Sequence, residues 1–331
     1  MKEVLNMLIN HRPLSKEMAK QVLVDIASGK HNQSQMSAFM TVYMMRAITL
    51  DELRGFRDAM LELCIPVKFD APVMDVCGTG GDGKNTFNIS TLSSFVVAAA
   101  GQPVAKHGNY GVSSVSGSSN VLEYFGYKFS NDVEQLRKSL QEANIFFMHA
   151  PLFHPAMKNV APIRKELGVK TFFNMLGPMV NPAFPPRQLV GVFNLELARL
   201  YGYLYQKLDR DFVILHDLQG YDEISLTGAF KVFTNAGERV YEPSDLGLNN
   251  FMYNDIKGGA TVEESANVFM HILRGKGTEA QNSVVAANAG MSLFAGHQQV
   301  PIKKHVQQAL DVLKSGEAFK CFEKLMSINK A

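Results

Sequence analysis

The sequence predicts an α/β protein: a small N-terminal α-helical domain followed by a larger domain with a central, mostly parallel sheet flanked by helices. Three observations support this prediction. The N-terminal block shows only helical periodicity, short β-rich segments alternate with helical segments from Val73 onward, and several β-rich segments end in Gly- and Ser-rich polar loops. Such alternation is typical of parallel sheets covered on both faces. We expect domains at residues 1–70 and 71–331, with a segment near 165–185 joining the helical domain.

The N-terminal block is predicted to contain helices over about 16–28, 35–46 and 50–64. Ser15 is placed to cap the first of them. Thr49 and Glu52 form a capping box at the start of the third, and Pro66 follows its end. We interpret the Met and Phe residues of this block as core or subunit contacts.

The larger domain is predicted from two interleaved sets of segments. The expected strands are 73–77, 103–106, 145–149, 189–193 and 212–216. The expected helices between them are 90–100, 118–125, 132–143 and 196–208. Ile224–Thr227 and Phe230–Thr234 are predicted to pair as a hairpin through Gly228-Ala229, before three helices near 261–274, 278–295 and 301–327.

Composition limits the function classes. Lys and Arg total 33 against 31 Asp and Glu, and this net charge of +2 argues against a dedicated nucleic-acid-binding protein. The three cysteines are too few for a disulfide framework, which favours a reducing, cytoplasmic location. Neither a secretory signal nor an apolar run of membrane-spanning length is evident, so we expect no membrane association.

A glycine-rich loop from Gly78 to Asn88 follows the first predicted strand. Its glycines match parts of the dinucleotide-binding and P-loop patterns, but no acidic residue follows at the required distance, and Asn85 stands where a P-loop has Ser or Thr. Glycines let backbone N–H groups approach an anion, and a helix beginning near Ser90 favours phosphate. The loop therefore predicts a phosphate-binding site of another type.

A second polar loop follows the next predicted strand, from Lys106 to Asn120, and a third contains Asp222 and Glu223 after the fifth strand. Ligands of parallel sheets bind outside the carboxyl ends of the strands. Lys106 can meet a phosphate, and the acidic pair can hold Mg²⁺, which prefers carboxylates together with substrate phosphates. Because no protein nucleophile stands out, the pattern favours group transfer by positioning and electrostatics.

Seven segments, in this order, resemble the anthranilate phosphoribosyltransferase family: Asp75–Asp82, Asn88–Thr91, Lys106–Asn109, His154–Ala156, Arg164–Gly168, Asn174–Pro178 and Asp222–Ser225. The resemblance extends from the first helices to the last. It implies a fold of the nucleoside phosphorylase/phosphoribosyltransferase type and a homodimer formed through the helical domain. It also implies transfer of the phosphoribosyl group of PRPP (5-phosphoribosyl pyrophosphate) to the amine of anthranilate, with two Mg²⁺ ions per subunit.

The resemblance implies three sets of site residues. Those expected to bind PRPP are Gly78, Gly81, Asp82, Thr86, Asn88, Ile89, Ser90, Thr91, Lys106, His107, Gly108, Asn109, Ser113, Ser114 and Ser118. Those expected at anthranilate are Gly78, His107, Asn109, His154, Arg164 and Pro178. Those expected to hold magnesium are Ser90, Asp222 and Glu223.

The sequence departs from the family pattern at three places. Tyr110 replaces the usual Arg, Asn120 replaces the usual Asp, and residues 216–221 differ from the usual loop before the acidic pair. Two alternatives stay open: a pyrimidine nucleoside phosphorylase-like enzyme and a non-catalytic relative that binds nucleic acid. Lys106-His107-Gly108-Asn109 speaks against the first, and the near-neutral charge speaks against the second.

Overall fold

A computed structural model describes residues 1–111 and 115–329. Its α-helices are α1 (Lys2–Ile9), α2 (Lys16–Ala27), α3 (Gln33–Met45), α4 (Leu50–Leu63), α5 (Ile89–Ala99), α6 (Ser118–Tyr124), α7 (Val133–Ala143), α8 (Ala150–Phe153), α9 (Ala161–Leu167), α10 (Phe173–Leu176), α11 (Leu195–Tyr205), α12 (Val262–Leu273), α13 (Glu279–Gly296), α14 (Ile302–Ser315) and α15 (Glu317–Asn329). Its strands are β1 (Met74–Gly78), β2 (Val104–Gly108), β3 (Ile145–His149), β4 (Arg187–Gly191), β5 (Asp211–Asp217), β6 (Phe230–Thr234) and β7 (Gly237–Tyr241). None of the helices in these residues is long and apolar enough to cross a bilayer.

The chain divides into two compact units. The first combines Met1–Val67 with Ala150–Phe184, and the second combines Lys68–His149 with Pro185–Ala331. The segment that joins the N-terminal helices therefore begins at Ala150, earlier than the 165–185 expected from the sequence. Its link to those helices consists of long-range contacts, which local sequence patterns do not encode.

The first unit is a helical bundle around an aromatic core. Phe39, Tyr43 and Phe56 pack with ring centroids 5.1–5.9 Å apart, and Phe172 from the later segment enters the same cluster, 4.7 Å from Phe56. Gly55 lets α4 approach α2 closely, since a Cβ there would lie 2.3 Å from the carbonyl oxygen of Lys16. The interpretation of the Phe residues as core is thus confirmed.

The capping box predicted at α4 is present and belongs to a larger buried network. Glu52 is fully buried and accepts hydrogen bonds from the guanidinium of Arg46 (2.8 and 3.2 Å), the Tyr43 hydroxyl (2.9 Å) and the Leu14 amide (3.0 Å), besides those from Thr49. Burial alone would raise the pKa of Glu52, but these donors outweigh it and the pKa is lowered. The charged carboxylate is therefore the form that holds the bundle together.

Glu52→Ala is expected to lower the free energy of unfolding by about 3 kcal/mol, because the Arg46 charge is left buried without its partner. Urea denaturation followed by circular dichroism measures this loss. Asp51→Ala, at the exposed neighbouring position, is the matched control.

The pH dependence of stability tests the charge of Glu52. A carboxyl whose pKa is lowered on folding stabilises the protein above its unfolded pKa, near 4.3, and this stabilisation is lost as the pH falls through the folded-state pKa. The difference between wild type and Glu52→Gln should therefore shrink as the pH falls below about 4, through the lowered folded-state pKa, and a difference independent of pH would contradict the assignment.

The second unit is built on one sheet, which in the described residues has the order β3-β2-β1-β4-β5-β6-β7. β1 to β5 run parallel, while β6 and β7 are antiparallel. The predicted fold class is thereby confirmed. The chain adds β2 and β3 on one side of β1 and then returns to place β4 on the other. Ligands of open α/β sheets bind at such a reversal, outside the carboxyl ends of the strands.

The C-terminal part of the sequence prediction needs two corrections. The hairpin consists of β6 and β7, not of Ile224–Thr227 and β6, because Ser225 bonds Asp217 and Leu226 turns the chain at a positive φ of 59°. The helix predicted over 301–327 is two helices, α14 and α15, separated at Gly316 in the left-handed conformation.

Candidate active site

The first polar loop folds back onto the acidic pair. It leaves β1 at Gly78, and α5 begins only at Ile89, so its glycines do not open a helix as the dinucleotide pattern requires. Gly80, Gly81 and Gly83 have φ values of 64–79°, which glycine adopts without strain. The turn directs the amide of Gly80 at Asp222, whose Oδ2 accepts its hydrogen bond at 2.6 Å.

Two strand-end glycines make room for this approach. A Cβ at Gly78 would lie 2.6 Å from the Asp222 carboxylate, and one at Gly191 would lie 1.5 Å from the Asp222 carbonyl oxygen. Gly78 and Gly191 face each other in the β1–β4 register. The first and third polar loops therefore meet at the point where the strand order reverses, as the parallel-sheet argument predicted.

Glu223 occupies the N-terminus of α5. Its Oε1 accepts the Ser90 amide at 2.8 Å, where the helix dipole favours an anion. Burial, with nearby Asp82 adding to it, raises the pKa of Glu223 to about 7. Burial and Glu223 likewise raise the pKa of Asp222. The charge of Lys106 offsets only part of the effect on Glu223, and the oxygens of the two carboxyls are the donors that Mg²⁺ prefers.

A closed protein cage for a metal is not found: in residues 1–111 and 115–329, no group of three or more His, Cys, Asp or Glu side chains is arranged around one point. Mg²⁺ commonly takes one or two carboxylates and completes its shell with water and substrate phosphates. Asp222, Glu223 and the hydroxyl of Ser90 fit such an open site.

Lys106 lies beside the acidic pair, fully buried near the end of β2. Its Nζ donates to the Val76 carbonyl oxygen at 2.5 Å and to Ser90 Oγ at 3.3 Å. Burial lowers the pKa of Lys106, and the charge of Asp75 opposes that effect. A buried ammonium is costly unless it is paired, and the charges of Asp75 and Glu223 compensate that of Lys106.

Asp75 and Gln188, which were not among the predicted site residues, lie near Lys106, and the charge of Asp75 acts on it. Asp75, fully buried, accepts from the His107 amide at 3.3 Å and from Gln188 Nε2 at 3.1 Å. Gln188 in turn accepts from the Tyr205 hydroxyl at 2.8 Å and from Arg210 at 3.2 Å. An Asp within an otherwise apolar strand was the available signal, but its partners lie more than thirty residues away.

The second polar loop brings several predicted PRPP residues together. The carbonyl oxygen of Asn109 accepts from Ser118 Oγ and from the Ser119 amide, each at 3.3 Å. Asn88 donates to the Ser116 carbonyl oxygen at 2.9 Å, which links this loop to the start of α5. The predicted Ser113 and Ser114 lie outside the described residues.

The remaining residues predicted to bind PRPP, all in the second unit, differ in burial and in position. Ile89 and Thr91 are buried in the first turn of α5, so Ile89 contributes its side chain to the core. The Thr86 carbonyl oxygen lies against Gly258, where a Cβ would be 2.6 Å away. The other members lie at strand or loop positions close to these: His107 and Gly108 at the end of β2, and Gly81 and Asp82 in the first loop.

Three of the residues predicted to contact anthranilate belong to the first unit. Arg164 is partly buried, donates to Asn174 Oδ1 at 3.4 Å and lies over the Phe173 ring at 5.4 Å. His154 is buried, which lowers its pKa to about 4 and keeps the imidazole neutral near pH 7. Pro178 is buried near the start of a short 3₁₀ helix, Gly177–Val180.

Comparison with known proteins gives two adjoining matches to family models. Residues 2–64 match the helical bundle domain of the glycosyl transferase family, and residues 70–319 match its a/b domain. Relatives from Christiangramia forsetii and Flavobacterium psychrophilum, both named anthranilate phosphoribosyltransferase, are 59% identical over 331 residues and 60% identical over 330. These alignments cover at least 99% of this chain and 100% of each relative. The chain belongs to the anthranilate phosphoribosyltransferase family.

Solved structures of anthranilate phosphoribosyltransferases agree with this membership. The crystal structure of the Thermus thermophilus protein is 33% identical with a TM-score of 0.92, and the match covers 99% of both chains. The Saccharomyces cerevisiae protein in complex with PRPP and Mg is 25% identical with a TM-score of 0.89, covering 98% of this chain and 96% of that one. The resemblance stated from the sequence motifs is confirmed.

Proposed function

We propose that this protein is an anthranilate phosphoribosyltransferase, which transfers the 5-phosphoribosyl group of PRPP to the amine of anthranilate and releases pyrophosphate, in tryptophan biosynthesis. The observation that carries the proposal is the meeting of the glycine-rich loop, Lys106 and the Asp222–Glu223 pair at the strand-order reversal. This arrangement suits a magnesium-bound polyphosphate, and relatives 59–60% identical carry the name of this activity.

We assign the PRPP site to the second unit. Backbone amides of the first loop and of the α5 N-terminus, including those at Gly81 and Asn88–Thr91, would hold the phosphates. Lys106 would add a positive charge, and the second loop, with Asn109 and Ser118, would complete the site. Asp82 and Thr86 would contact PRPP from the first loop.

We assign two Mg²⁺ ions per subunit to the active site, held by Ser90, Asp222 and Glu223 together with substrate oxygens and water. When bound, the metal neutralises pyrophosphate and makes it a better leaving group. The raised pKa values of the two carboxyls come from burial and from neighbouring carboxylates, and a bound cation would relieve both causes. The Saccharomyces cerevisiae relative was solved with PRPP and Mg.

The chain's own residues would act by orientation. The family resemblance assigns Arg164 to the anthranilate carboxylate. It assigns Gly78, His107, Asn109, His154 and Pro178 to contacts with anthranilate as well. The bond from C1 of the ribose to the pyrophosphate oxygen breaks, the bond from C1 to the amine nitrogen forms, and the amine loses one proton. Because the aromatic amine is uncharged at neutral pH, alignment with C1 supplies much of the rate.

Anthranilate fluorescence tests the proposal directly, and the absence of Trp from the chain keeps the protein background low. We expect loss of the anthranilate signal with PRPP and Mg²⁺ present, and release of one pyrophosphate per anthranilate consumed. Omitting PRPP or adding EDTA should stop both anthranilate consumption and pyrophosphate release.

Two results would favour the alternatives. A protein that is inactive on anthranilate but cleaves thymidine or uridine with phosphate would establish the nucleoside phosphorylase alternative. Steeply salt-dependent binding of DNA would support the nucleic-acid-binding one.

Arg164→Ala is expected to raise the KM for anthranilate about tenfold to a hundredfold, because two charge-assisted hydrogen bonds to the carboxylate are lost. The KM for PRPP should change much less. Initial rates at saturating PRPP measure the effect. Lys165→Ala removes a charge from the exposed adjacent position and serves as the control. An unchanged anthranilate KM in Arg164→Ala would remove this residue from the substrate site.

We further propose a homodimer formed through the helical unit. Ile9, Met44 and Met45 are exposed there, Met45 to 81%, and apolar groups at the surface are favourable sites for subunit contact. Analytical ultracentrifugation of wild type and Met45→Glu tests this.

We place the reaction in the cytoplasm, since a polyanion such as PRPP crosses bilayers poorly. The three cysteines are free and buried, and cell fractionation tests the location.

A further inference from the structure

Arg164 carries a partly buried positive charge without an ionic partner. It lies in the last turn of α9. Among residues 1–111 and 115–329 it forms no ion pair, and burial lowers the pKa of its guanidinium with no carboxylate to oppose that effect. A charge that is withdrawn from water is costly unless a group of opposite charge binds it. The surroundings of Arg164 therefore suit an anionic ligand, as its proposed role requires.

Two side chains restrict the orientation of this guanidinium. Its Nη2 donates to Asn174 Oδ1 at 3.4 Å, and its central carbon lies 5.4 Å from the centroid of the Phe173 ring. Phe173 stacks on Phe172, with ring centroids 4.4 Å apart, and Phe172 belongs to the aromatic core of the first unit. The guanidinium thus lies against a ring that the core holds in place, and Asn174 contacts it through a hydrogen bond.

Asn174 is itself fixed by the turn that leads into α10. Its Oδ1 also accepts the Thr171 amide at 3.0 Å, and its own amide donates to the Thr171 carbonyl oxygen at 3.0 Å. One oxygen atom therefore connects this turn to Arg164 on α9. An amide oxygen accepts both hydrogen bonds without carrying a net charge, so it can orient the guanidinium and leave the positive charge for a ligand.

We propose that Asn174 is a positioning residue for anthranilate, which acts through Arg164. Its side-chain oxygen orients the guanidinium so that the remaining N–H groups can bind the substrate carboxylate as a fork. A guanidinium that is free to turn loses part of this bidentate geometry, and carboxylate binding weakens. This inference rests on the proposed function, since it names what orders the carboxylate-binding residue.

A double-variant cycle tests the proposal. Asn174→Ala removes the acceptor, and Arg164→Ala with the double variant shows whether the two residues act together. Asn32→Ala is the matched control in the same unit, because the Asn32 oxygen also accepts a backbone amide, that of Gln35 at 2.9 Å, but contacts no arginine. Initial rates give kcat and the KM for each substrate, and thermal melts report folding.

Asn174→Ala should raise the KM for anthranilate about fivefold to tenfold. Its kcat and its KM for PRPP should stay within about twofold of wild type, because only carboxylate binding is weakened. The double variant should have an anthranilate KM no higher than that of Arg164→Ala, since residues that act through one another are not additive. Asn32→Ala should keep wild-type KM values even where its melting temperature falls.

Wild type that does not consume anthranilate would overturn the proposed function itself. If wild type is active, an unchanged anthranilate KM in Asn174→Ala would overturn only the role of Asn174. Effects that multiply in the double variant would also overturn it, by showing that the two residues act independently. If Asn174→Ala does not fold, Asn174→Asp decides the question. Its carboxylate would pair with Arg164 and compete with the substrate, so an anthranilate KM equal to wild type would contradict the proposal.

Discussion

Glu223→Gln should lower kcat at fixed Mg²⁺ at least about a hundredfold while the protein remains folded. The carboxylate oxygen that accepts the Ser90 amide is retained in the amide, so the local hydrogen bond survives. The negative charge that would bind the metal is lost. A buried carboxyl with a pKa raised to about 7 also costs stability at higher pH, so removing its charge should not destabilise the fold.

Magnesium titrations separate this effect from general damage. In wild type, thermal stability should rise when Mg²⁺ and PRPP are added together, as expected for a ligand that binds only the folded state. Glu223→Gln should lose most of that rise. Glu263→Gln, which changes an exposed carboxyl on α12, should behave like wild type in both activity and melting. Full magnesium-dependent activity in Glu223→Gln would exclude this residue from the metal site.

Lys106→Met should raise the KM for PRPP about a hundredfold, since a buried ammonium next to Ser90 in the proposed phosphate site is replaced by an apolar side chain of similar length. The substitution leaves the charge of Asp75 in the interior, so it should also lower the melting temperature. Initial rates over a range of PRPP concentrations measure the first effect, and thermal melts measure the second.

A double variant distinguishes the two roles of this lysine. Lys106→Met with Asp75→Asn removes both charges and should recover the melting temperature, because neither charge is left unpaired. PRPP binding should remain weak. Lys138→Met, at an exposed position on α7, is the control. Recovery of PRPP binding in the double variant would show that Lys106 supports the fold and not the substrate.

The sequence predicted most of the fold because most of its elements are locally encoded. Ser15 and Thr49 cap helices by short-range bonds, and the alternation of strands and helices after Val73 reproduces the parallel sheet. The prediction was wrong at 224–227 for a non-local reason. That segment has a β-rich composition, but Ser225 bonds to Asp217 and turns it out of the sheet. It also missed α1, whose N-terminus has no side-chain cap.

The candidate site likewise combines residues that have a local sequence signal with residues that have none. Asp222 and Glu223 are commonplace as a dipeptide, and their placement after β5 was the only local sign that they meet the glycine-rich loop. Gly191 gives no signal at all, although its lack of a side chain admits the Asp222 backbone. Gln188 has the sequence context of an ordinary strand residue, yet its side chain forms hydrogen bonds with both Asp75 and the Tyr205 hydroxyl. Such contacts depend on tertiary structure, which no window of sequence contains.

The place of Phe172 in the aromatic cluster has a consequence for the order of synthesis. Translation produces Phe39, Tyr43 and Phe56 long before Phe172. The Phe172 ring packs against all three of these rings. Until then, the nascent helices expose an apolar face for which their own chain has not yet supplied the cover. Exposed surfaces of this kind attract chaperones and promote aggregation during translation. The first unit thus begins at the N-terminus but matures only after β1, β2 and β3 have already been made.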